Sequence, residues 1–227
     1  MQHDLSSIRT WILDLDNTLY SPYCNVFPQI HTRMEAYIMQ YFSISSEEAA
    51  VRRKRYFYEY GTSLRGMMVE EKIDADHFLD FVHDIDYSAI TPQPELKALL
   101  AGLEGDKIIF TNADSRHAVR VLRYLGLDEA LPHIFDIADG DYVCKPQPEP
   151  YQRLLARYGA AAQTSCMIDD MEANLKTAAA IGMTTVWMRH EADWLRHPPG
   201  PAADYPHCHY TTDDLIPFFR DLNGRSA

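Results

Sequence analysis

The sequence predicts an α/β protein: a doubly wound, Rossmann-like parallel sheet with a helical cap inserted after its first strand. Three observations lead there. Short apolar runs alternate with helical patterns through the second half of the chain, the long stretch after the first run has only helical spacing, and polar residues close the runs. At 227 residues with 46% hydrophobic content, the chain can bury one such core together with one insertion.

The first run, "WILDL" (11–15), places Asp14 and Asp16 one residue apart at its end. On a continuing strand both side chains would point the same way and repel each other, unless a cation or a hydrogen-bonding frame compensates. From about residue 21 to 91 the pattern is helical. Ile30, Met34, Ile38 and Tyr41 fall at helical spacing, and Ser45 with Glu48 reads as a capping box opening the next helix. Pro92 and Pro94 mark the return to the core. The expected division is therefore a core of 1–20 and 92–227 and a cap of 21–91.

Four further runs follow: "KIIFT" (107–111), "IFDIA" (134–138), "CMIDD" (166–170) and "TTVWM" (184–188). The helical stretches between the later runs stop at Gly126, Gly159 and Gly182, as glycine C-caps do. The segment 196–206, "RHPPGPAADYP", reads as a surface loop before a last strand and helix.

The formal charge of −12 argues against binding a nucleic-acid polymer, although a small phosphorylated ligand stays open if a divalent ion brings local positive charge. No segment approaches the roughly 20 uninterrupted apolar residues of a membrane helix. The first ten residues lack the zones of a secretion signal, so a cytoplasmic location is expected. Cys24, Cys144, Cys166 and Cys208 are widely spaced, which suits reduced structural thiols.

Ligands of doubly wound sheets bind beyond the carboxyl ends of the strands. Asp14 and Asp16, Thr111 and Asn112, Lys145, and Asp169 with Asp170 all lie at or after such ends. Singly, each has a bland explanation as a helix cap, a turn former or a loop dipeptide. Jointly they do not, because capping needs neither a lysine after the third strand nor three acids beside an apolar core.

In that order, "DLDNT" (14–18), "TN" (111–112), "KP" (145–146) and "DDMEAN" (169–174) resemble the four motifs of the haloacid dehalogenase-like phosphohydrolases. The resemblance spans most of the core and implies a helical cap after the first motif. It implies Asp14 as the nucleophile that forms an aspartyl-phosphate and Asp16 as the acid/base. Thr111 and the backbone N–H of Asn112 would hold phosphate oxygens, and Lys145 would offset the negative charge. Mg²⁺ would be held by Asp14, the Asp16 carbonyl and Asp169, with Thr18, Asp170 and Asn174 orienting ligands or waters. Many relatives have a glycine before the motif-four aspartate and a serine or threonine after it, where this chain has Ile168 and Asp170. Asp169 is the expected metal ligand because it lines up with the strand end.

The stretches "YEYGTSLRGM" (58–67) and "HDIDYSAITPQPEL" (83–96), with "DLDNTLY", are similar to pyrimidine 5′-nucleotidases of that superfamily. This implies pyrimidine nucleoside monophosphates such as UMP and CMP as substrates. Tyr60, Thr62 and Arg65 are then candidates for base or ribose contacts, although Gly61 and Thr62 could equally serve a turn between helices. The alternatives are a phosphatase of small sugar or acid phosphates such as phosphoglycolate, a carbon-attacking dehalogenase, and a phosphoaspartyl signalling or catalytically silent binding module. His207, Cys208 and His209 resemble metal ligands by type, but on a strand Cys208 would turn away from the histidines. Tyr56, Phe57, Tyr58 and Tyr60 beside "RRKR" (52–55) fit helix packing with a solvated face better than nucleic-acid binding.

Overall fold

A computed structural model describes residues 4–190 and 204–225. Among them, six parallel strands form one sheet: β1 (Thr10–Leu13), β2 (Asp106–Phe110), β3 (His133–Phe135), β4 (Ser165–Asp169), β5 (Thr184–Met188) and β6 (Tyr210–Thr212), in the spatial order β3-β2-β1-β4-β5-β6. β1, β4 and β5 are buried along their whole length, because a parallel sheet is covered on both faces.

The alternation of side chains divides the core in two. Trp11, Leu13, Ile109, Ile168 and Val186 face one layer. It holds Leu96 and Leu100 of α5 (Pro94–Gly102), Val121 and Leu122 of α6 (Ser115–Leu125), and Phe219 of α9 (Leu215–Arg225). Ile12, Ile108, Phe110, Met167 and Trp187 face the other. There they meet Tyr151 and Leu154 of α7 (Pro148–Tyr158) and Leu175 and Ala178 of α8 (Glu172–Ala180). α6 and α7 end where expected, with Gly126 and Gly159 in the left-handed region. α8 runs to Ala180, and Gly182, at φ 98°, closes it by donating to the Ala179 carbonyl (3.0 Å).

Between β1 and α5 the chain forms a short 3-10 turn (Pro22–Cys24) and four α-helices: α1 (Val26–Phe42), α2 (Ser46–Tyr60), α3 (Ser63–Glu71) and α4 (Ala75–Val82). Both halves of the Ser45–Glu48 capping box are present at the start of α2. These helices have an apolar cluster of their own, built on Tyr37, Ile38, Tyr56, Met67, Phe78 and Leu79 and joined by Ile137 and Cys144. On α1, Ile30 and Ile38 are buried, but Tyr41 is exposed and Tyr37 takes the inward place. A helical face is wide enough for either tyrosine, and the rings of Phe78 and Phe81 packed against Tyr37 decide between them.

Two further expectations change. β1 stops at Leu13, so pleat alternation does not extend through Asp16: the Asp14 N–H still donates to the Ile168 carbonyl (2.9 Å), and the chain then turns through Asn17 at φ 62°. The third strand begins at His133 and ends at Phe135, because a turn follows: the Asp136 carboxylate accepts from the Ala138 and Asp139 N–H groups, and the Asp136 N–H donates to Asp139 Oδ2 (3.2 Å). The expected loop 196–206 lies outside the described residues up to 203, and no helix among the described residues is long and apolar enough to cross a membrane.

Candidate active site

After β1 the chain builds outward to β2 and β3, and later to β4, β5 and β6 on the opposite side. The order reverses between β1 and β4, and a crevice opens where connections leave in opposite directions. Asp14 follows β1, and Asp169 ends β4 as its neighbour across that gap.

Lys145 reaches this point from the loop after β3. Its Nζ donates to Asp14 Oδ1 (2.7 Å), Asp169 Oδ2 (2.8 Å) and the Phe110 carbonyl (2.8 Å), so all three hydrogens have acceptors. Burial works against its charge, but Asp14 and Asp169 outweigh burial and hold the ammonium above its ordinary range. The Asn112 side chain fixes the lysine's backbone by accepting from the Lys145 N–H (2.8 Å) and donating to the Lys145 carbonyl (3.2 Å). The Thr111 hydroxyl accepts from the Ala113 N–H (3.0 Å), which leaves its own hydrogen for a ligand.

Asp14, Asp169 and Asp170 are buried with carboxylate oxygens within 4.8 Å of one another. Their surroundings differ. Asp14 accepts from Lys145 on Oδ1 and from Thr18 Oγ1 (2.9 Å) on Oδ2. Asp169 has a full donor shell: the Met171 N–H (2.8 Å), the Asn174 amide to both oxygens (2.9 and 3.0 Å) and Lys145. The Asp170 side chain accepts no hydrogen bond from any described residue; only its backbone carbonyl is used, by Trp187 Nε1 (3.0 Å). Burial first, and then Asp14 and Asp169, push the Asp170 carboxyl far above the usual range. Burial likewise raises Asp14 to about 7 against the pull of Lys145. One lysine cannot neutralise three buried carboxylates, and an unpaired one costs several kcal/mol. A divalent cation with oxygen preference suits this donor set.

Asp16 stands apart from that cluster. Its Oδ1 accepts from Tyr20 Oη (2.6 Å) and meets His117 Nε2 (2.8 Å). Burial opposes its charge, but His117 and Tyr20 outweigh burial and hold the carboxyl below its ordinary value. His117, Tyr20 and their neighbour Tyr87 were missed in the sequence. The available signals were the four-residue spacing of Asp16 and Tyr20 and a histidine among the buried positions of α6.

The cap candidates separate. Tyr60 Oη donates to Glu70 Oε1 (2.9 Å), itself paired with Arg55, and the Thr62 hydroxyl caps α3 by accepting from the Arg65 N–H (3.1 Å). The Tyr60 hydroxyl is thus committed to Glu70, while the Thr62 oxygen serves the cap and its side chain also meets the Cys144 thiol. Arg65 has no ion pair or side-chain hydrogen bond among the described residues and lies near enough to the Cys144 thiol to act on it electrostatically. Gly61, at φ 86°, lets the α2–α3 turn approach the core: a Cβ there would stand 2.8 Å from Cys144 Sγ, one residue before Lys145.

Elsewhere, His207 pairs with Glu172 and His209 Nδ1 accepts from the Thr185 N–H (3.1 Å), so the two imidazoles serve different partners. In the basic stretch, Arg53 pairs with Glu35, Arg55 with Glu59 and Glu70, and Arg52 lies over the Phe42 ring. Tyr56 is buried, while Phe57 and Tyr58 are exposed.

Comparison with known proteins agrees with this geometry. A family model described as haloacid dehalogenase-like hydrolase matches residues 8–182. Phosphate metabolism protein 8 of Saccharomyces cerevisiae is 25% identical over 193 residues, which cover 77% of this chain and 60% of the yeast protein. The chain thus matches about 60% of the length of that curated relative. Among solved structures, a HAD phosphatase from Thermococcus onnurineus superposes with a TM-score of 0.62 at 17% identity, covering 95% of this chain and 98% of its own. The HAD-hydrolase YfnB from Bacillus subtilis, bound to magnesium, gives 0.57 at 20% identity over 95% and 99%. The L-2-haloacid dehalogenase of Xanthobacter autotrophicus gives 0.55 at 13% over 96% and 99%. At these identities the structures share the fold.

Proposed function

Because the chain belongs to the haloacid dehalogenase-like hydrolases, we propose that it is a Mg²⁺-dependent phosphomonoester hydrolase acting on pyrimidine nucleoside 5′-monophosphates such as UMP and CMP. The observation that carries the reaction class is the cluster of Asp14, Asp169 and Asp170 at the sheet's switch point, with Lys145 bridging the first two. The yeast relative's name, phosphate metabolism protein, and the magnesium bound to YfnB are in keeping with it. The pyrimidine assignment rests on the resemblance of stretches 58–67 and 83–96.

Asp14 attacks phosphorus in line: an Asp14 oxygen–phosphorus bond forms as the bond to the nucleoside oxygen breaks. Asp16 acts in its protonated form, a minority while His117 and Tyr20 hold the carboxyl low: it gives that proton to the departing oxygen and takes one back from the water that cleaves the aspartyl-phosphate. The Thr111 hydroxyl and the Asn112 N–H hold phosphoryl oxygens, while Lys145 keeps Asp14 aimed and offsets charge. Mg²⁺, when bound, supplies positive charge to the phosphoryl group. Asp14, the Asp16 carbonyl and a motif-four carboxylate would hold it. The donor shell around Asp169 favours Asp170 as that carboxylate and Asp169 as the residue that seats Lys145.

Residues 21–91 are taken as the cap and 1–20 with 92–227 as the core, a division supported by the separate apolar cluster of α1–α4. Arg65 is the cap side chain we favour for substrate, since its guanidinium has no ion pair or hydrogen bond among the described residues, whereas Tyr60 Oη donates to Glu70 and the Thr62 oxygen caps α3. The hydrogen-bonded frame around Asp16 favours phosphoryl transfer over carbon-attacking dehalogenation, which needs no leaving-group acid.

The test is a Mg²⁺-supplemented screen of phosphate release from UMP, CMP, AMP, GMP, sugar phosphates and phosphoglycolate, with halide release from 2-haloacids in parallel. UMP and CMP are expected to lead. A sugar phosphate or phosphoglycolate ahead of all nucleotides overturns the substrate, and metal-independent halide release overturns the reaction class.

A further inference from the structure

The buried polar groups around Asp16 form a connected path from the site to the segment that returns from the helical insertion. His117 is fully buried on α6, with Nε2 2.8 Å from Asp16 Oδ1 and Nδ1 2.9 Å from Tyr87 Oη. Tyr87 Oη also reaches the His83 carbonyl (3.0 Å). The His83 ring stacks on His117 with centroids 4.4 Å apart and an interplanar angle of 23°. His83 Nδ1 stands 2.9 Å from Asp114 Oδ1, and the same oxygen accepts from the His117 N–H (3.1 Å) at the start of α6. The imidazole of His117 is therefore fixed at both nitrogens and on one face.

The consequence falls on one oxygen of Asp16. Tyr20 and His117 both engage Oδ1, and no described residue engages Oδ2. The two oxygens of a free carboxylate are interchangeable by rotation about χ2, a broad torsion with a low barrier. Two partners converging on Oδ1 remove that equivalence. Packing alone would require His117 to be satisfied, but not to break the symmetry of the carboxylate that serves as acid/base.

We propose that His117 is a positioning residue: with Tyr20 it pins Asp16 Oδ1 so that Oδ2 is the atom that gives and takes the proton, and Tyr87 holds the ring for this task. The inference rests on the reading of Asp16 as acid/base. Proton transfer needs a donor within hydrogen-bond reach and correctly turned, so a carboxylate free to rotate loses rate where the leaving group depends on protonation. The segment from His83 to Tyr87 thereby becomes part of the acid's placement.

The experiment compares His117→Ala, His117→Gln and Tyr87→Phe on UMP and on p-nitrophenyl phosphate, whose activated leaving group needs little protonation. His117→Ala is expected to lower kcat for UMP by about a hundredfold. KM should change less than about threefold, and p-nitrophenyl phosphate turnover should fall less than about fivefold. His117→Gln, which keeps a donor, should recover part of the loss, and Tyr87→Phe should show a smaller loss with the same bias. Equal losses on both substrates, or a glutamine variant no better than alanine, overturn the proposal. Crystal structures of His117→Gln and Tyr87→Phe read the same point without turnover: the Asp16 carboxylate is expected in more than one orientation in Tyr87→Phe and in one in His117→Gln. An unaltered Asp16 in Tyr87→Phe with an unmoved His117 ring overturns it as well. A parent protein inactive on every phosphomonoester would instead overturn the proposed function.

Discussion

Lys145 Nζ donates to Asp14 Oδ1 across 2.7 Å although 131 positions separate the two residues. The same ammonium holds Asp169 at 2.8 Å, so the lysine bridges two strand ends that would otherwise present bare negative charge to each other.

That bridge separates two kinds of loss. Asp14→Asn keeps the shape and removes the nucleophilic charge, so turnover should fall by several orders of magnitude while the circular dichroism and urea midpoint stay near those of the parent. Lys145→Met leaves buried carboxylates without their cation and should cost about 3–5 kcal/mol in urea unfolding as well as activity. An active Asp14→Asn protein would remove Asp14 from the nucleophile's role.

The unequal surroundings of Asp169 and Asp170 predict thermal shifts of opposite sign in chelator. Asp170→Asn removes a buried carboxylate that accepts no hydrogen bond from the described residues, so the melting temperature should rise. Asp169→Asn breaks a full donor shell, so it should fall. With Mg²⁺, Asp170→Asn should need the larger increase in metal for half-maximal rate. Should Asp169→Asn need more, the strand-end residue is the direct ligand.

Substrate recognition by the cap should divide among its three candidates. Arg65→Ala is expected to raise KM for UMP and CMP while sparing p-nitrophenyl phosphate, because remote contacts orient a substrate without touching phosphorus. Thr62→Ala removes the α3 cap and should appear as about 1 kcal/mol of lost stability, with substrate preference unchanged. Tyr60→Phe should leave nucleotide KM near the parent's. AMP and GMP should be poor substrates, and equal turnover of purines and pyrimidines would refute a one-ring pocket.

His31 on α1 gives a pH test of the helical part. Burial, with Arg53 beside it, lowers its imidazole from 6.5 to about 4. Between those values the unfolded chain binds more protons than the folded one, so this contribution is intact above about pH 6.5 and is lost as the pH falls towards 4. His31→Asn should therefore lose less stability than the parent on acidification from about pH 7 to 4.5, by roughly 1–2 kcal/mol in urea unfolding. Parallel stability curves would exclude His31 as a source of acid sensitivity.

What was legible in the chain was local. The runs at 107–111, 166–170 and 184–188 became strands displaced by at most one residue, Ser45 and Glu48 closed their capping box, and Gly126 ended its helix in the left-handed region. Such signals depend on residues a few positions apart, whose side chains share a face whatever the rest of the chain does. The motif residues were visible for a related reason: Asp14, Thr111 and Asp169 interrupt apolar runs at their carboxyl ends, and Lys145 stands in the loop beyond another.

What only the tertiary structure decided lies in contacts across the sheet. Sequence could place Asp14, Lys145 and Asp169 at strand ends or in the loop beyond, but the order β3-β2-β1-β4-β5-β6 puts β1 beside β4 and lets one ammonium serve both acids. The choice of Tyr37 over Tyr41 depended on rings from α4, and the difference between Asp169 and Asp170 on which of two adjacent carboxylates meets Asn174 and Lys145. His117 reaches Asp16 across 101 positions by the packing of α6 on the sheet. By itself the sequence determined the periodic elements and the groups at their ends, since both are written in near neighbours. The partners of those groups were decided by long-range crossovers and burial, where a hydrogen bond between remote residues has no local periodicity to announce it.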